Sequence, residues 1–119
     1  MYDLVIKNGA VIDTLSDTYA ISNIAVINDK IVPWEEGREA RKVIDAKECF
    51  VVPGLIDFHT HIYPGSTFYV NPDLMFAHGI TAMVDAGTTG CVNFENFFKS
   101  TISTSETKIK AYLNISSIG

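Results

Sequence analysis

No stretch of this chain approaches the ~18–20 consecutive apolar residues that a membrane-spanning helix needs. The amino terminus, Met1-Tyr2-Asp3-Leu4, lacks the basic-then-apolar layout of a secretory leader and places an acid where a positive region would stand. Cysteine is scarce: Cys49 and Cys91 lie far apart, form no CxxC and give no disulfide framework. From these absences we expect a reduced, cytoplasmic setting and no membrane partner. Basic residues are few as well. Nine Lys and Arg stand against 14 Asp and Glu, for a net charge of -5, and Arg41-Lys42 is the only adjacent basic pair. Phosphate backbones are gripped by clustered Lys and Arg, so nucleic acid is set aside as a partner. Internal repeats and low-complexity tracts are also missing. What remains, 47% hydrophobic and 19% charged residues over 119 positions, is globular composition.

The first fifty residues read as short strands broken by turns. Residues 2–7 are β-rich and run into Asn8-Gly9, the dipeptide that most strongly signals a hairpin, so Ala10-Val11-Ile12 is expected to return antiparallel. Residues 21–27 form another strand, Asn28-Asp29 a turn, and Lys30-Ile31-Val32 a short strand stopped by Pro33. Two further short strands are expected at residues 43–46 and 49–52. This is a small β unit, half of a sandwich, covering residues 1–53.

The pattern changes at Pro53-Gly54. Residues 55–62 are apolar except at Asp57, His59, Thr60 and His61, and a Pro/Gly loop follows. A helix is expected over residues 72–78, with Asn71 as N-cap, Pro72 in its first turn and Gly79 as its stop. A strand at 80–85, a loop at 87–90, a helix near 93–102 and a third strand at 109–115 complete the chain. Phe94, Phe97 and Phe98 stand at i, i+3 and i+4 and are expected on one buried face. Strands alternating with helices imply βα units and a parallel sheet over residues 54–119.

The segment Pro53-Gly54-Leu55-Ile56-Asp57-Phe58-His59-Thr60-His61 carries the chemistry. Residues two apart on a strand share a face, so Asp57, His59 and His61 line one side. Two imidazoles near a strand end can converge on one divalent ion, zinc being well suited to neutral imidazole nitrogen. Asp57 is placed to accept a hydrogen bond from a ligand histidine's second nitrogen. An HxH pair taken alone is equally compatible with an incidental arrangement. Its position between a Pro-Gly break and a Pro/Gly loop, where barrel strands present their chemistry, favours the metal.

Asp3-Leu4-Val5-Ile6-Lys7-Asn8-Gly9, Val43-Ile44-Asp45-Ala46 and the HxH segment together resemble the opening of the amidohydrolase superfamily. Residues 79–87 and 112–119 resemble its amidohydrolase/deacetylase subgroup, similar to proteins labelled dihydroorotase or adenine deaminase. The resemblance implies a β-sandwich beside a TIM-like (β/α)8 barrel, with His59 and His61 on a divalent metal, zinc being expected. It further implies a metal-activated water that attacks an amide, cyclic amide, N-acyl or ester bond of a small-molecule substrate. A carbamylated lysine, two later histidines and an aspartate general base complete such sites, and that base is expected beyond Gly119. A barrel of eight βα units takes roughly 250 residues. Residues 54–119 therefore hold its first two to three units, and the 119 residues alone are expected to show negligible hydrolysis.

Other residues invite milder readings. His78, at a helix end, is expected to serve the helix C-terminus and not a metal. Asn114 and Ser116 share a face at the end of the third strand and are candidate substrate contacts. Cys91 is expected to be a buried, inert thiol. Two non-enzymatic alternatives stand beside the hydrolase: a truncated non-catalytic polypeptide, or a β-rich interaction module. Open strand edges favour self-association into a homo-oligomer.

Overall fold

The computed structural model describes residues 1–119 and divides into two units, Met1–Pro53 and Gly54–Gly119. The first unit is one five-stranded sheet built around a long strand, β1 (Tyr2–Asp13). β2 (Thr18–Ile27) pairs antiparallel with it from Leu4↔Val26 to Asp13↔Thr18. β3 (Lys30–Val32) adds to the outer edge of β2. On the other edge of β1, β4 (Ala40–Asp45) and then β5 (Phe50–Val51) pair in parallel, one after the other. Tyr2, Val5 and Ala25 form the core, with Ile27, Val32 and Ala40 packed against them.

Asn8-Gly9 does not make the expected hairpin turn. A type I′ turn needs positive φ at both central residues, and here only Asn8 has it, at 62°. The dipeptide instead makes a bulge within a continuous β1, where the register with β2 shifts between Ile6 and Gly9. Long-range partners hold the bulge: Asn8 N–H donates to Asn23 Oδ1 (3.0 Å) and Asn8 Nδ2 to Asp45 Oδ1 (2.9 Å). Gly9 is needed for close approach, since a Cβ there would lie 2.4 Å from Val51 Cγ2. The chain reverses later, at residues 14–17, where Asp13 Oδ1 accepts from Leu15 N–H. Asn28 and Asp29 do both take positive φ, 48° and 60°, and make the β2–β3 hairpin.

The second unit is a three-stranded parallel sheet, β6 (Leu55–Thr60), β7 (Ile80–Thr89) and β8 (Lys108–Leu113), in that spatial order. The crossover from β6 contains a 3₁₀ helix, Pro72–His78, where the sequence pattern predicts an ordinary helix. Its caps are the expected ones: Asn71 Oδ1 accepts from Asp73 N–H, and Gly79 closes the end at φ 80°. The crossover to β8 starts as a short α-helix, α1 (Phe94–Phe97), and widens into a π-helical turn, Phe98–Ile102. The three phenylalanines do not share one buried face. Phe97 is fully buried with Ile62 and Met83, Phe94 packs on that cluster, and Phe98 is exposed. Cys91 is exposed in the turn before α1, contrary to the buried thiol expected; Cys49 is exposed too. No helix is long and apolar enough to cross a membrane.

Candidate metal centre

The local sequence Asp85-Ala86-Gly87-Thr88 shapes the ground on which the histidines stand. Asp85 pairs with Ala111 on β8 and Thr89 with Leu113, so β7 carries two extra residues between matched positions. The strand bulges there, with Gly87 at φ 85°, a value that a residue with a Cβ adopts only under strain. Asp85 drives the bulge as an Asx-type turn: Oδ1 accepts from Gly87 N–H (3.1 Å) and Thr88 N–H (2.7 Å). Its other oxygen, Oδ2, accepts from Ile62 N–H (2.9 Å), the residue after His61, and from the Thr88 hydroxyl (2.7 Å). Asp85 has no solvent exposure and no ion pair. Four donors converging on its two oxygens are the complement of an acceptor-only carboxylate.

His59 is the penultimate residue of β6, and His61 lies just past the strand's end at Thr60. Their rings stand edge to face, 5.8 Å between centroids with 79° between planes. His61 is half-buried and His59 exposed. His61 Nδ1 lies 2.8 Å from Thr88 Oγ1, and its ring is 6.2 Å from that of Phe68. Asp57 makes no contact with a ring nitrogen; its Oδ1 accepts the backbone N–H of His59 (3.1 Å). The support expected of Asp57 comes instead from β7, through Thr88 and Asp85. The only sequence trace of that pair is an aspartate two residues before a glycine in what reads as a turn.

Two imidazoles bound to one tetrahedral ion, at Zn–N distances of about 2.0–2.1 Å, place their centroids roughly 5–6 Å apart. The His59–His61 pair fits that spacing. These 119 residues gather no group of three or more His, Cys, Asp or Glu, so the pair is two ligands and not a full set. His78 ends the 3₁₀ helix beside Gly79 and takes no part.

Beside His61 lies an open cavity of about 740 Å³, walled by Tyr63, Phe68, Thr88, Asn93 and Asn114. Asn114 is held from both ends, Nδ2 donating to Gly87 O (2.9 Å) and Oδ1 accepting from Ser116 N–H (2.9 Å). Ser116 is exposed and does not line the cavity. The far wall is fixed by close approach at Gly90, where a Cβ would sit 1.9 Å from Ser116 O. Asn93 reinforces it, accepting from Gly90 N–H (2.8 Å) and donating to Ile118 O (2.9 Å).

No family model matches the chain. It is 45% identical over 78 residues to a deacetylase of Agrobacterium fabrum, a match covering 64% of this chain and 19% of that protein. Among solved structures, an adenine deaminase superposes with a TM-score of 0.78 at 30% identity, covering all of this chain and 32% of its own. A dihydroorotase superposes at 0.80 with 28% identity, covering 98% of this chain and 32% of its own. The N-acyl-D-glutamate deacylase of Bordetella bronchiseptica, solved with zinc and a phosphonate inhibitor, superposes at 0.59 with 28% identity over 76% of this chain. The chain thus spans about a fifth of the deacetylase's length and about a third of the first two solved structures.

Proposed function

Because the chain corresponds in sequence and fold to the N-terminal portion of amidohydrolase-superfamily enzymes, we propose that it supplies His59 and His61 to the divalent metal of a hydrolase. The substrate class is a small molecule with a C–N bond in an amide, cyclic amide or N-acyl group, or an ester. The observation that carries this reading is the ring pair itself: two imidazoles 5.8 Å apart, with Nδ1 of His61 already engaged by Thr88. A divalent ion, zinc by the chemistry of an imidazole pair, polarises a substrate carbonyl and acidifies water when bound.

The chain's own residues hold and surround that position. His59 and His61 hold the ion through their ring nitrogens. The Asp85 bulge fixes where the backbone after His61 runs, by way of Ile62 N–H. Phe68 and Tyr63 give the open cavity an apolar side, and Asn114 keeps the Gly87 carbonyl in place. A general base is not among the residues gathered at this site.

Zinc binding to the purified chain tests the reading. Titration of wild type and of the His59→Ala/His61→Ala variant, with bound metal quantified by mass spectrometry, should show one zinc per chain in wild type. The double variant should bind at least tenfold more weakly. Equal zinc affinity in the two proteins rules the pair out as ligands.

A further inference from the structure

We propose that Asp85 and Thr88 are positioning residues that hold His61 as the Nδ1–H tautomer and leave Nε2 as its lone-pair nitrogen. A count of protons leads there. Thr88 Oγ1 sits 2.7 Å from Asp85 Oδ2 and 2.8 Å from His61 Nδ1. A hydroxyl has one proton to give. The carboxylate has none, and its two oxygens already accept three backbone N–H groups. The Thr88 proton therefore goes to Asp85. Thr88 Oγ1 can then only accept from the imidazole, so Nδ1 carries a hydrogen. In a neutral ring that leaves Nε2 as the coordinating atom.

The arrangement is a carboxylate–hydroxyl–imidazole chain. Partners of this kind fix a ligand histidine's tautomer and ring orientation and raise its basicity. Here the carboxylate acts through an interposed hydroxyl, which lets a fully buried Asp85 serve the backbone and the ring together. Geometry supports the assignment from a second side. The bulge that brings Thr88 back over Asp85 exists only because Gly87 takes φ 85° and Asp85 gathers the Gly87 and Thr88 amides. The value of the tautomer to a metal rests on the reading of His61 as a ligand; the tautomer itself does not.

The test is long-range ¹H–¹⁵N correlation on the full ¹⁵N-labelled chain at about pH 8.5, two units above the ordinary imidazole value of ~6.5. This spectrum reports directly which ring nitrogen bears the proton. Wild type and Thr88→Ser should show His61 as Nδ1–H, whereas Thr88→Val, similar in shape, should lose that preference. Zinc affinity should fall about tenfold or more in Thr88→Val and recover in Thr88→Ser. An Nε2–H ring in wild type overturns the proposal, as does an Nδ1–H ring indifferent to Thr88→Val. If the tautomer follows Thr88 while zinc affinity ignores both Thr88→Val and His61→Ala, the positioning chain stands and the metal reading falls. A backbone amide spectrum of Thr88→Val matching wild type outside residues near 61 and 85–88 shows that the variant is folded.

Discussion

Asp85→Asn is nearly isosteric and separates the charge of this residue from its shape. In wild type the two oxygens accept from Gly87 N–H, Thr88 N–H, Ile62 N–H and the Thr88 hydroxyl, at 2.7–3.1 Å and with no solvent exposure. An asparagine oxygen can keep the two amides of the bulge. Its NH₂ then stands where Oδ2 stood and faces the Ile62 N–H, so two donors meet in a dry site. A hydrogen bond to a charged group contributes about 1.5–3 kcal/mol, and a buried donor left without a partner costs about 1–3 kcal/mol. Since these terms overlap, we expect a net loss of about 3 kcal/mol, a large share of the ~5–15 kcal/mol by which domains are stable. Asp85→Ala, which also orphans the two bulge amides, should cost more. Amide hydrogen exchange gives the local readout: at about 1.4 kcal/mol per tenfold, Ile62 N–H should exchange roughly a hundredfold faster in Asp85→Asn. Amides of the first unit, such as Val5, should be unchanged. Ile62 protection within about threefold of wild type would refute the view that this carboxylate ties β7 to the chain after His61.

Two further outcomes follow from other buried or tethered groups. Tyr2 is fully buried, and its hydroxyl donates to Pro33 O (3.0 Å) while accepting from Glu35 N–H (2.8 Å). Tyr2→Phe leaves both backbone groups unpaired and should destabilise the first unit by about 1–3 kcal/mol. Urea unfolding followed by Trp34 fluorescence checks this, and an unchanged midpoint would count against it. The Ser105 hydroxyl donates to the Asp73 carboxylate, and with the Thr107 and Glu106 amides it holds that pKa below the ordinary 3.8 against the opposing effect of desolvation. A lowered folded-state pKa means stability fully present above pH 3.8 and lost as the pH falls through the folded value. Asp73→Asn should therefore flatten the acid limb of stability against pH in the second unit. Parallel acid limbs in the two proteins would show that the tether carries no such linkage.

Much of this protein is legible residue by residue. Alternating strands, the Asn71 and Gly79 caps, the Asn28-Asp29 hairpin and the HxH pair are local patterns, set by neighbours within a few positions. Asn8-Gly9 shows where such reading stops. The dipeptide has the right chemistry for a turn, yet Asn23 and Asp45, brought alongside by strand pairing, make it a bulge. Phe98 shows it again: its amide keeps the α-helical bond to Phe94, yet only Phe94 and Phe97 face the Ile62–Met83 cluster. At the site the division is sharpest. The HxH spacing at the end of a β-rich run is a local pattern that can be read without tertiary information. Only the folded chain joined His61 to Thr88 and Asp85. That contact spans 27 residues and depends on a bulge with two extra residues and on the β6–β7 register, and the register joins two strands far apart in the sequence.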